Sequence, residues 1–125
     1  MKTEWSKNWL SSKQPRKQRK YVYNITLHLA RKLVSAVLSK DLRTKYGKKN
    51  ISLRKGDVVK IMKGEFKGKT GKVEKLRLKK GRIYVEGVSV TKKNGTKVLR
   101  PVHASNVMIT ELQSDDKKRI KRIKK

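Results

Sequence analysis

The sequence predicts a mainly β protein: one small barrel, preceded by short helices and flanked by basic, extended termini. Three observations carry the prediction. From Ile51 onward, apolar and β-branched residues fall at every second position in short runs separated by turn residues, the pattern of strands. Ahead of them, Leu27, Leu33, Val34, Val37, Leu38 and Leu42 recur at three- and four-residue steps, the period of an amphipathic helix. Both ends of the chain carry basic residues with too little apolar surface for a core of their own. A chain of 125 residues accommodates one compact domain with extensions. It divides into an arm at 1–25, a helical region at 26–50, a barrel at 51–112 and a tail at 113–125.

The arm centres on "SKQPRKQRK", Ser12 to Lys20, and is expected to be disordered in the free chain and to fold on contact with a partner. Trp5 and Trp9 lie four apart, a spacing compatible with one short helix that anchors to a partner. In the helical region, two short helices broken near Ser35–Ser39 compete with one bent helix. Ser39 is placed to cap the second, Asp41 to face its dipole and Gly47 to end it. The narrow apolar stripe lacks Trp and Phe, which favours docking on the neighbouring barrel over a membrane surface.

In the barrel, "GDVVKIM" (Gly56–Met62) predicts a strand. "TGKVEKLRL" (Thr70–Leu78) predicts another, with a frame switch between Val73 and Leu76 that marks a bulge. "RIYVEGVSV" (Arg82–Val90) is expected to form two strands bent at Gly87. Asn94-Gly95 marks a tight hairpin turn, and "NVMITEL" (Asn106–Leu112) supplies a last strand. A domain of about 60 residues buries only roughly 60% of its unfolded surface, so modest intrinsic stability is expected. The tail "QSDDKKRIKRIKK" reads as a basic helix on the partner or as a solvated charge run.

Charge is the strongest compositional feature. There are 37 Lys and Arg against 9 Asp and Glu, a formal net charge of +28. The excess is spread along the chain, with 14 basic and 2 acidic residues in 1–50, 16 and 5 in 51–112, and 7 and 2 in 113–125. Self-repulsion of this size destabilises an isolated compact state, and its distribution points to a polyanion touched from several sides. Apolar runs do not exceed three residues, so no membrane insertion is expected. The N-terminus lacks the apolar stretch of a secretory signal, and no cysteine exists for disulfides or thiolate metal sites.

"KGEFKGKTGKV", Lys63 to Val73, holds four lysines, three glycines and the only phenylalanine. It superficially matches a nucleotide-binding loop, but that motif needs four residues between its glycines and a helix after its lysine. Gly64 and Gly68 enclose three residues, Gly71 follows Thr70, and a strand pattern comes next. A strand-loop-strand reading fits better. Its glycines permit positive φ and close backbone approach, and Lys63, Lys67, Lys69 and Lys72 surround exposed amides with positive charge suited to phosphodiesters. Phe66 at the tip either stacks on an unpaired base or folds back as a lid on the barrel.

"RKGDVVKIMKGEFKGKTGKVEKL" (Arg54–Leu76) resembles a KOW motif, shared by ribosomal proteins and transcription elongation factors. "SKQPRKQRK", "LSKDLRTKYGKKN" (Leu38–Asn50), "GRIYVEGV" (Gly81–Val88), "NGTKV" (Asn94–Val98) and "HASNVMIT" (His103–Thr110) accompany it in order. Together, over about residues 12–112, they resemble the large-subunit ribosomal protein family numbered twenty-four in archaea and twenty-six in eukaryotes. The archaeal form is the closer likeness, given the short extension beyond the barrel. Ala104 departs from the family pattern, which has proline before the serine. The resemblance implies an SH3-like barrel bound to the 5′ region of large-subunit ribosomal RNA, acting early in assembly near the outer mouth of the peptide exit tunnel. The implied setting is the cytoplasmic ribosome, with neighbouring large-subunit proteins as further partners.

No nucleophile with a base, no carboxylate pair and no metal motif stands out, so neither catalysis nor a cofactor or small-molecule substrate is expected. His28 and His103 are read as packing or RNA-contact residues, and Asp57 and Glu74 as orienting loops or pairing with lysines. The candidate RNA contacts are Lys13, Arg16, Lys17, Arg19 and Lys20 in the arm, Arg31, Lys32 and Arg43 in the helical region, and Lys63, Phe66, Lys67, Lys69 and Lys72 around the loop. A KOW-type transcription elongation factor and a small DNA-binding barrel are the alternatives.

Overall fold

The computed structural model describes residues 5–113 and 115–124. After a 3-10 turn at Lys7–Ser11 come helices α1 (Pro15–Asn24) and α2 (Leu27–Leu33), strand β1 (Ser35–Leu38), helix α3 (Lys40–Tyr46) and strand β2 (Asn50–Ser52). Strands β3 (Val58–Ile61), β4 (Thr70–Arg77), β5 (Arg82–Thr91), β6 (Lys97–His103) and β7 (Val107–Glu111) follow, then helix α4 (Lys117–Lys124). The strands hydrogen-bond in the order β2-β1-β7-β3-β4-β5-β6. All pairings are antiparallel except β1 with β7, which run parallel with Val37 opposite Met108.

Alternation explains the core. Val59 and Ile61 of β3, Val73 of β4, Ile83, Val85 and Val88 of β5, and Val107 and Ile109 of β7 point to one side and are buried. Ala36 and Leu38 of β1 and Val102 of β6 join the same cluster although they lie toward opposite ends of the sheet. One core shared by both ends requires the sheet to curl on itself, and the fold is a small SH3-like barrel. The predicted bulge is present: the β4/β5 register shifts between Val73 and Lys75. The Asn94-Gly95 turn also forms, with Gly95 at φ 84° and the Lys92 amide donating to the Thr96 carbonyl.

Of the two arrangements left open for 26–50, two short helices with a break near Ser35–Ser39 form, α2 and α3; the break itself is strand β1, where nonlocal pairing with β2 and β7 overrides the local helical period. One expectation is corrected. Residues 82–91 form one strand; Gly87, at φ 77°, absorbs a register shift between Tyr84 and Ser89 without ending it.

The arm, expected to be disordered in the free chain and to fold on contact with a partner, contains helix α1 in this structure. Pro15 opens that helix, and Gln18 donates to the carbonyls of Trp9, Leu10 and Ser12 at 3.0, 2.9 and 2.7 Å. Buried Tyr21 stacks on Trp5 at 5.3 Å between ring centroids, within a small second cluster containing Ile25, Ala30 and Trp9. Trp5 thus lies outside the turn that holds Trp9, and both tryptophans pack on a cluster shared by the arm and α2. Ser39 caps α3 by accepting from the Leu42 amide, and Gly47 ends it at φ 63°.

Candidate nucleic-acid interface

The lysine-rich loop joins β3 to β4. Gly64 and Gly68 sit at φ 97° and 89°, where a side chain would strain the backbone. Gly71 has a different use: a Cβ there would collide with the Glu86 carbonyl oxygen of the adjacent strand. The loop closes on itself through Ile61 N–H to Lys69 O at 2.9 Å and Gly68 N–H to Ile61 O at 2.8 Å. Lys67 N–H donates to Gly64 O, Lys69 N–H to Phe66 O and Met62 N–H to Asn106 O. The amides of Ile61, Met62, Lys67, Gly68 and Lys69 are thus engaged within the protein. The loop also presents side-chain charge.

Phe66 is half-buried and packs against the barrel core, the lid arrangement of the two that the sequence leaves open. Lys69 Nζ lies 5.0 Å from its ring centroid, a cation-π contact. Lys63, Lys67, Lys69 and Lys72 are all exposed.

In the arm, Gln18 and Tyr21 face inward and leave Arg16, Lys17, Arg19 and Lys20 outward, next to exposed Lys13. Lys20 Nζ stands 5.5 Å from the Trp9 ring centroid. Arg31 and Lys32 are exposed in the last turn of α2, where cations favour the helix dipole. Arg43 is different: it is half-buried, and its Nε donates to the Leu38 carbonyl at 2.8 Å, so part of its guanidinium serves the fold. His103 caps its own turn by accepting from the Ser105 amide, and Ala104 is buried in the core beside it.

Little in the sequence signals the role of α4. Asp57, fully buried, accepts from Arg119 Nη1 at 2.6 Å and Nη2 at 2.7 Å. It also accepts from the backbone amides of Arg54 and Gln113 at 2.8 and 3.0 Å. Arg119 further donates to Ser52 O at 3.0 Å, and Lys48 Nζ to Arg122 O at 2.9 Å. Asp116 caps α4 by accepting from the Arg119 amide and pairs with Arg54. The Arg119 amide first, and then the Arg54 guanidinium, hold the Asp116 carboxyl below its ordinary value. In this structure the described part of the tail contains helix α4, held on the barrel through Arg119 and the Arg122 carbonyl.

Among the described residues, no group of three or more His, Cys, Asp or Glu is placed to hold a metal ion, and no helix is long and apolar enough to cross a membrane. Residues 12–125 match the family model of ribosomal proteins described as L26 in eukaryotes, with its archaeal counterpart numbered twenty-four. The chain belongs to this ribosomal L26 family. Its members are structural proteins of the large subunit of the cytoplasmic ribosome. The match includes α1, the whole barrel and α4, so the docked tail lies within the span the family model describes.

Proposed function

We propose that this member of the L26 family binds folded large-subunit ribosomal RNA, engages its 5′ region early in subunit assembly, and lies beside neighbouring large-subunit proteins near the outer mouth of the exit tunnel. The supporting observation is that exposed cations of the arm, α2 and the β3–β4 loop have no carboxylate partner among the described residues. Such groups attract phosphates and gain little from the protein itself. Lys13, Arg16, Lys17, Arg19 and Lys20 act from the arm, Arg31 and Lys32 from α2, and Lys63, Lys67, Lys69 and Lys72 from the loop. Arg43 contributes the part of its guanidinium not held by Leu38, and Phe66 supports the loop. Contacts of this kind read phosphate position and RNA shape; no catalytic step is involved.

The test is binding of the purified chain to a transcribed 5′ domain of large-subunit ribosomal RNA across a salt series, with duplex DNA as competitor. The expected result is a steep fall in affinity with salt and selectivity for the folded RNA. A flat salt response, or equal binding to duplex DNA, would overturn the reading. Omitting the chain from large-subunit reconstitution is expected to block an early particle; normal particles would remove the assembly role.

A further inference from the structure

A groove of about 480 Å³ runs between α2, β2 and α4. Its lining includes six cations, Arg31, Lys32, Lys48, Arg54, Arg119 and Arg122, and no carboxylate. Arg119 and Arg54 are neutralised by Asp57 and Asp116. Lys48 is tied to the Arg122 carbonyl at 2.9 Å, which pins the helix and leaves its charge uncompensated. Arg31, Lys32 and the Arg122 side chain have no carboxylate partner among the described residues.

The groove exists because α4 is docked. Arg119 anchors that helix to Asp57 just before β3 and to Ser52 of β2, while Ile123 is buried beside the groove. Without the anchor, the like charges of α2 and α4 would separate; with it they face one another across an open cleft. The groove lies near Asp57, just before β3, whereas the lysine loop leaves the other end of the same strand. At about 3.3 Å per residue, that four-residue strand separates its two ends, and the groove shares no lining residue with the cleft beside the loop.

We propose that this groove is a second seat for the phosphodiester backbone of RNA, assembled by the docking of α4 and separate from the β3–β4 loop. The proposal rests on the RNA-binding reading above, which already assigns Arg31 and Lys32, and adds to it the facing wall with Lys48 and Arg122. A backbone strand fits because the groove is open, free of carboxylates and lined by cations on two facing walls.

The test uses the full chain and the transcribed 5′ domain of large-subunit ribosomal RNA. Each phosphate contact removed lowers the slope of log affinity against log salt by roughly 0.7–0.9. A triple Arg31→Gln, Lys32→Gln, Arg122→Gln variant is expected to reduce the slope by about two, and a Lys63→Gln, Lys67→Gln, Lys69→Gln variant to reduce it separately. An unchanged slope in the groove variant with a reduced slope in the loop variant would overturn the groove while leaving RNA binding intact. A flat wild-type slope would overturn both. Amine labelling of the unmodified chain gives a readout independent of variant folding: Lys32 is expected to be protected several-fold in the complex. Equal labelling with and without RNA, or protection by polyglutamate but not by RNA, would assign the groove to something other than RNA.

Discussion

Arg119 grips Asp57 through two hydrogen bonds of 2.6 and 2.7 Å across 62 positions of sequence, with exposures of 5% and 0%. A planar guanidinium meeting a carboxylate in a fork is the strongest geometry available to such a pair. It locks a strongly basic helix onto a strongly basic barrel, which net charge alone would drive apart. Asp57 also accepts two backbone amides, so it ties together the turn before β3, the chain after β7 and α4. The two partners are therefore unequal. Arg119→Ala is expected to undock α4 and let water reach a carboxylate that keeps its backbone donors, at about 1–3 kcal/mol. Asp57→Ala removes all four bonds and strands a buried guanidinium, at about 3–5 kcal/mol. Urea denaturation of both variants, with amide exchange over 117–124, checks the order; equal losses would contradict it.

Gly71 offers a sharper test of the barrel than the loop glycines. It pairs with Val59 in β3, and a Cβ would collide with the Glu86 carbonyl and approach Val85 Cγ1 to 3.0 Å. The obstruction is backbone, which cannot rotate away. Gly71→Ala is expected to cost about 1–3 kcal/mol through overpacking, with altered β4–β5 amide shifts. Gly64→Ala meets nothing within 4 Å and is penalised only by its φ of 97°, so its cost is expected to stay near ~1 kcal/mol. Thermal melts of the pair decide whether close approach or φ is the tighter constraint.

What is legible in the sequence follows local rules. Strand alternation, the Asn94-Gly95 hairpin, the Val73 bulge and the Ser39 and Gly47 caps depend on residues within a few positions of one another, and each appears where its pattern lies. Strand β1 is hidden because its four residues continue a helical period, and only distant β2 and β7 make them a strand. The exposed cations of the candidate interface are legible because residue type alone fixes their charge. Their internal uses are not: Arg43 on Leu38 and Arg119 on Asp57 look like any other basic residue until the fold supplies an acceptor. One trace exists in advance. Asp57 falls two and four positions before Val59 and Ile61, in phase with their alternation, and an acid at such a position needs a cation from elsewhere.

Acid is expected to loosen α4 through Asp116. Its carboxyl is held below the ordinary value by the Arg119 amide and the Arg54 guanidinium. A lowered folded-state value means that its contribution is complete above the unfolded value, about 3.9, and is lost as pH falls through the lower folded one. Amide protection across 117–124 should therefore decline in that acid window. Asp116→Asn should weaken docking at neutral pH and flatten this part of the decline. Retention of the full acid response by the variant would show that Asp116 is not its source.

Phe66 separates fold from recognition in the β3–β4 loop. Because the ring packs on the core under Lys69, Phe66→Ala is expected to cost about 2 kcal/mol, below the roughly 3–5 kcal/mol typical of a fully buried Phe. Phe66→Leu refills much of the site and should recover most of that loss. A base-stacking role predicts the reverse pattern, since leucine cannot stack and would forfeit about 1–3 kcal/mol of RNA affinity with stability little changed. Denaturation midpoints and RNA affinities of the two variants, measured at one salt concentration, distinguish them. The lid arrangement requires Phe66→Leu to bind RNA within about threefold of wild type, a difference of about 0.65 kcal/mol at most.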